Sequence, residues 1–235
     1  MVDNPGKIEI PDLDGNDRLA GISFGGSAKE SDDTRKAKPQ TRGLKTQTKQ
    51  FYRRFLSERQ MEEALEWELE PAAAYHVISG GDVDSLSFLK HILRQQPLEY
   101  LLFSTWCMAL QDIEEIERYM ALGRVKRLDS YVGEIFKGSY GNEYVQLCKL
   151  HERYGGRVAI FRNHAKIYCG FGDKYDFVVE SSANINTNPR TENTCVTTDT
   201  GLAYFCKEFF DGIVSFERNF DSWEPYIMRR RKGRW

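Results

Sequence analysis

The chain has 235 residues, 40% hydrophobic and 13% aromatic, with a formal net charge of -2, a composition ordinary for a globular protein with a substantial core and without the overall basic excess of a strong nucleic-acid binder. Cys107, Cys148, Cys169, Cys195 and Cys206 are an odd number without a Cys-x-x-Cys pair, which indicates neither a zinc site nor a disulfide framework and fits a reducing cytoplasm. The longest apolar stretches are strand-sized and Met1–Pro5 lacks the basic start and apolar core of a secretory signal, so we expect a cytoplasmic protein with no membrane segment.

In chain order, residues 1–48 carry Gly, Asp, Ser, Lys and Thr with few large apolar groups, too little to offset ordering entropy, and are expected to form a disordered, basic-ended tail. Arg35, Lys36, Lys38, Arg42, Lys45, Lys49, Arg53 and Arg54 follow one another without an intervening acid, a pattern that suits either a solvated tail or a polyanion contact. Residues 49–72 read as a helical lead-in, with Ser57-x-x-Gln60 resembling a capping box that opens a helix through Leu69. A domain is expected over 73–220. Ala73–Ile78 reads as a strand, Asp82–Gln95 as a helix with Leu86, Leu89 and Leu93 on one face, and Glu99–Cys107 as a strand. Gln111–Leu122 reads as an amphipathic helix, Arg124–Leu128 as a short strand, Asn142–Tyr154 as a helix and Arg157–Arg162 as a strand. Thr194–Thr198 adds a strand and Leu202–Phe216 a closing helix, whose Phe205, Phe209 and Phe210 are expected in the core rather than as a base-stacking platform. The alternation predicts an α/β sheet with helices on its faces and a ligand site beyond its strand ends. Residues 221–235 form a basic carboxyl-terminal tail through Arg229, Arg230, Arg231, Lys232 and Arg234.

Between these elements lies the one arrangement with the character of a reaction centre. In Asn163–Cys169, His164, Lys166 and Tyr168 share one parity, while Ile167, Cys169 and Phe171 share the other, the pattern of a half-buried strand. An imidazole and an ammonium two residues apart would then project from one surface toward one phosphate. Neutral imidazole is a competent nucleophile near pH 7, and lysine supplies positive charge where a pentacovalent phosphorus accumulates negative charge. Gly172–Tyr175 supplies turn chemistry and Asp176–Glu180 a second strand, so a hairpin is expected to return Ser182 and Asn184 toward His164 as donors to phosphate oxygens. Glu192 is placed to orient the imidazole, and Arg190 is either a phosphate contact or a plain surface charge.

His164-x-Lys166, Ser182-x-Asn184 and the trailing Glu192 resemble the signature of the phospholipase D superfamily, and the Ser-Ser-x-Asn form with its downstream Glu resembles the nuclease and restriction-endonuclease branch. The motif covers 164–192, and compatible patterns extend to 73–216. Two departures stand out: Phe171 takes the usual Asp place, where Asp173 or Asp176 would have to substitute, and Ser181 takes the place of a Gly, with a longer spacing from Lys166. The resemblance implies a phospholipase D-like mixed sheet flanked by helices, a catalytic set of His164, Lys166, Asn184 and Glu192, and no metal cofactor. The family works through two His-x-Lys motifs, whereas His76, His91 and His151 are each followed by no Lys at the required position. A homodimer joining two copies of His164 at one active site is therefore implied. The function this implies is metal-independent cleavage of nucleic acid, DNA foremost, through a phosphohistidine, in a compact form resembling bacterial, phage or mobile-element nucleases. A catalytically reduced module that holds DNA or a protein assembly is the alternative, kept open by Phe171, and a phospholipase is the remaining one.

Overall fold

Apolar residues recur at alternate positions on both parities of the central strands, which is the pattern of a sheet covered on two faces. In the computed structural model, which describes Arg59, Met61 and residues 68–228 except Asn188, they build a single sheet. All described residues belong to the unit Thr46–Trp235. The expected tail over 1–48, both basic runs and nearly all of the lead-in helix lie outside them; Leu69, expected as that helix's last residue, lies in no helix.

The elements are β1 Ala74–Ser79, α1 Ser85–Gln95, β2 Leu98–Thr105, α2 Leu110–Ala121, β3 Leu128–Gly133, α3 Phe136–Ser139, α4 Gly141–Tyr154, β4 Val158–Phe161, β5 Ile167–Gly172, β6 Asp176–Ser181, β7 Glu192–Thr197 and α5 Thr200–Asp211. The sheet has seven strands in the order β1-β7-β6-β5-β2-β3-β4. β2, β3 and β4 run parallel, and β2-β5-β6-β7-β1 are joined antiparallel. The expected mixed α/β sheet flanked by helices is therefore present.

One face buries Leu101, Phe103, Val132, Phe177 and Val179 beneath Leu89 and Ile92 of α1, Ile113 and Ile116 of α2 and Leu147 of α4. The other buries Tyr100, Leu102, Tyr131, Cys169 and Phe171 beneath Ala203, Cys206 and Phe210 of α5. Each fully buried Leu or Phe contributes roughly 1.5–3 kcal/mol, so this double covering is what holds the central strands in register. Asp199 caps α5 by accepting from Leu202 N at 2.6 Å, the side-chain cap favoured at a helix start.

The differences from the sequence reading have physical causes. β5 is not half-buried: Tyr168 and Cys169, on opposite parities, are 2% and 0% exposed, because helices cover both faces. His164 and Lys166 precede β5 rather than lying in it. The third strand is Leu128–Gly133, not Arg124–Leu128; of the latter, Val125 forms only an isolated bridge with Leu98. Its polar Asp129 and Ser130 are buried because distant partners satisfy them: Tyr100 Oη at 2.8 Å and Trp223 Nε1 at 2.9 Å donate to Asp129, and His151 Nε2 lies 2.7 Å from Ser130 Oγ. Phe210 is in the core, but Phe205 and Phe209 are 68% and 59% exposed, since α5 turns only one stripe to the sheet and 205 and 209 fall one turn apart on its outer side.

The β5–β6 hairpin forms as expected, and its turn is stapled from another element. Gln96 Oε1 accepts from Lys174 N at 2.6 Å and Tyr175 N at 3.1 Å, while its Nε2 donates to Tyr175 O at 2.8 Å. A Cβ on Gly172 would stand 2.2 Å from this amide, so only glycine admits Gln96 there.

Candidate active site

The strand registers fix which residues share an edge of the sheet. Ile167 pairs with Ser104 on one side and Glu180 on the other, Ser181 pairs with Thr194, and Ser79 pairs with Glu192. The start of β5, the ends of β2, β3 and β6 and the start of β7 therefore lie along one rim, which includes the carboxyl ends of the parallel strands. His164, Lys166, Ser182, Asn184 and Glu192 all stand in or beside the connections at this rim.

His164 is exposed and its ring meets two groups. Lys166 Nζ lies 2.9 Å from Nδ1 and 3.3 Å from Nε2, and also donates to the His164 carbonyl at 2.7 Å. The other is Trp106, whose ring centroid is 5.8 Å away at 51°. The imidazole and ammonium are thus side by side as expected, brought together by a turn entering β5 rather than by strand parity. Burial pushes the Lys166 pKa down from its ordinary value, against the opposing pull of Cys107 and the Glu192 carboxylate. Glu192 therefore lies within electrostatic reach of the ammonium.

The Ser182 hydroxyl donates to Glu192 Oε2 and accepts from Asn193 N at 3.0 Å. Its proton is engaged with Glu192, so in this arrangement Ser182 ties that carboxylate to the hairpin. Asn184 Oδ1 accepts from Trp106 N at 3.3 Å and lies 3.4 Å from Thr105 Oγ1. With Oδ1 as the accepting end, Nδ2 is the donor end of this amide. Arg190 is exposed, and its backbone passes Gly81 in the β1–α1 connection, where a Cβ would come within 2.9 Å of Arg190 N. The structure thus brings His164 to Lys166 and Ser182 to Glu192, while Arg190 stands with the Gly81 loop.

Phe171 settles where the departure from the usual motif leads. It is 3% exposed, with its ring 6.0 Å from Tyr100 and 5.1 Å from Tyr204. Asp176, its partner across the hairpin, accepts from Thr200 Oγ1 at 2.9 Å, at the strand end opposite His164. The position fills the core, and Asp176 serves the start of α5.

Sequence reasoning missed the residues that come from β2 and β3. Trp106 flanks His164, and Cys107, buried and held above its ordinary pKa by desolvation, faces Lys166 electrostatically. Gly133 ends β3 where a Cβ would lie 2.6 Å from Trp106 Cδ1 and 3.1 Å from Asn163 O, so its lack of a side chain lets both segments close on the rim. The only signal for them was the polar run Ser104-Thr105 closing an apolar strand, and nothing local connects it to His164. Among the described residues no three His, Cys, Asp or Glu side chains are grouped to hold a metal ion, and no helix is long and apolar enough to cross a membrane.

His164, Lys166, Ser182, Asn184 and Glu192 thus gather at one rim of a mixed α/β sheet. No protein-family model matches the chain, and no curated protein matches it. Among solved structures, polyphosphate kinase from Porphyromonas gingivalis aligns with 67% of this chain and 27% of its own length at 15% identity and a TM-score of 0.47. TrmBL2, an archaeal chromatin protein with a novel mode of DNA binding, aligns with 65% of this chain and 55% of its own at 13% identity and a TM-score of 0.44. Nuc from Salmonella typhimurium, a phospholipase D family member, aligns with 59% of this chain and 91% of its own at 16% identity and a TM-score of 0.44. The chain spans about a quarter of the kinase and just over half of the chromatin protein.

Proposed function

We propose that this chain is a phospholipase D-like phosphodiesterase that cleaves nucleic acid, DNA foremost, through a covalent phosphohistidine at His164. The observation that carries the reading is the convergence at one rim of His164 with Lys166 at 2.9 Å, Ser182 with Glu192, and an Asn184 amide whose carbonyl end is already engaged. An imidazole nitrogen attacks phosphorus, the bond to the leaving oxygen breaks, and that oxygen takes a proton from a general acid. Water then attacks phosphorus, giving its proton to the group that had acted as the acid, the P–N bond breaks, and the imidazole is restored. Lys166 and Asn184 Nδ2 stabilise the charge on the non-bridging oxygens, which grows in both transition states. Glu192, acting through Lys166 and Ser182, is assigned the orienting carboxylate. Ser182 itself reaches a phosphate oxygen only by turning its hydroxyl from Glu192, and Arg190 is assigned to the flanking backbone. The general acid is the His164 of a second copy in a homodimer, because the chain carries one His-x-Lys motif.

Nucleic acid is favoured over lipid because Trp106 sets an aromatic ring beside the reacting imidazole, where a base adjoining the scissile phosphate finds a π-surface. The test is cleavage of single- and double-stranded DNA and RNA by purified protein in excess chelator, with His164→Ala as control. Cleavage by wild type alone supports the proposal. Cleavage by both proteins overturns the assignment of His164, and cleavage by neither, in protein shown to be folded, overturns the nucleic-acid reading in favour of a lipid substrate or a retired site used for binding.

A further inference from the structure

The residue before the nucleophile does more than precede it. Between β4 and β5 the chain runs from Arg162 to Lys166 without regular structure, so no ladder of backbone hydrogen bonds fixes the position of His164. One buried side chain takes over that task. Asn163 is 5% exposed, and its Nδ2 lies 2.9 Å from Ser104 Oγ, 3.3 Å from Thr105 O and 3.2 Å from Tyr131 O. Two amide protons are thereby shared among three acceptors on β2 and β3. Its Oδ1 accepts from Ala165 N at 3.0 Å and from Ser104 Oγ at 3.2 Å. The amide therefore grips the backbone on the far side of His164 while its own backbone N donates to Glu134 Oε2 at 3.3 Å. His164 is suspended between two fixed points.

The same anchor reaches the other half of the site. Thr105, whose carbonyl receives Asn163 Nδ2, donates its one hydroxyl proton to Cys107 O at 2.7 Å, accepts from Ile185 N, next to Asn184, at 3.2 Å, and lies 3.4 Å from Asn184 Oδ1. The turn that carries the nucleophile and the turn that carries the anion-binding amide are thus both tied to one residue at the end of β2. We propose that Asn163 is a positioning residue that, through Thr105, sets the distance between the His164 imidazole and the Asn184 amide. For its kinetic readout this rests on the phosphodiesterase reading above. It predicts a loss in the chemical step rather than in binding, because the anion-binding amide stays in place while the nucleophile is released. A displacement near 1 Å at a reacting atom costs about 100-fold in rate.

The experiment compares Asn163→Asp and Ser104→Ala with wild type. Asn163→Asp keeps the acceptor for Ala165 N but turns an oxygen toward Thr105 O and Tyr131 O; Ser104→Ala removes one hydroxyl and is the milder change should the first fail to fold. Kinetics are read on protein whose folded fraction is known from thermal melts. The expected result is a kcat lower by about 10- to 100-fold for Asn163→Asp, less for Ser104→Ala, with KM within about threefold. A lower melting temperature with kcat per folded molecule unchanged would overturn the proposal. A second readout does not depend on turnover: the Cε1–H proton resonance of His164, assigned by its loss in His164→Ala. It is expected to move and broaden in both variants, and an unmoved resonance refutes the positioning role. Absence of cleavage by wild type together with a shifted resonance would remove the phosphodiesterase reading and keep Asn163 as the anchor.

Discussion

Lowering the pH should destabilise this fold through His151. The side chain is 1% exposed, with Nε2 2.7 Å from Ser130 Oγ and Nδ1 3.2 Å from Gly155 O. The carbonyl can only accept, so Nδ1 carries the proton and Nε2 accepts from the serine. Burial, aided by the charge of Arg127 and opposed by the bond to Gly155 O, pushes the imidazole pKa from its ordinary 6.5 down to about 3. In the unfolded chain it titrates near 6.5, so between about 6.5 and 3 the unfolded state binds the proton and the native state does not, and stability falls as pH falls. From pH 7 to pH 5 this amounts to about 2 kcal/mol; below pH 3 the native state protonates too and the loss stops growing. Asp129, whose carboxyl is raised by burial, runs the other way, since a raised acid favours the folded state as it protonates. Comparison with a variant that keeps Asp129 therefore isolates the histidine. His151→Gln retains groups able to meet Ser130 and Gly155 but does not titrate. Urea denaturation at pH 7, 6 and 5 should show wild type losing about 2 kcal/mol more than the variant over that range. Parallel pH profiles for the two proteins would refute the reasoning.

Two further outcomes follow from packing at and behind the site. Phe171→Asp, the change that would restore the usual motif residue, should cost more than about 4 kcal/mol, because it replaces a ring packed between Tyr100 and Tyr204 with a carboxyl; a thermal melt reads this, and increased cleavage by a stable variant would contradict the core assignment. Gly133→Ala forces a methyl to 2.6 Å from Trp106 Cδ1 and 3.0 Å from Trp106 O. It should destabilise by about 1–3 kcal/mol and lower turnover by shifting the support of His164, and unchanged turnover in the folded variant would show that the close approach does not bear on chemistry.

Much of this protein is determined by short-range pattern. Helical periodicity at Leu86, Leu89 and Leu93 and the apolar strands read at 99–107 and 176–180 are local signals, and they appear as the elements Ser85–Gln95, Leu98–Thr105 and Asp176–Ser181. The neighbourhood of His164 and Lys166, and of Ser182 and Glu192, was legible for the same reason, since one hairpin and the strand after it carry them. What the tertiary structure alone decided is everything that depends on a distant partner. Asp129 and Ser130 sit in a fully buried strand because Tyr100, Trp223 and His151 satisfy them from 29, 94 and 21 residues away. Phe171 is a core residue because Tyr100 and Tyr204 come to meet it. The seat of His164 is built from Ser104, Thr105, Trp106 and Gly133, which adjoin it only because β2 and β3 lie beside the start of β5 and the end of β4. A strand's own residues specify that it will be a strand, whereas the polar groups it can bury and the side chain it can hold in place depend on its neighbours in the sheet.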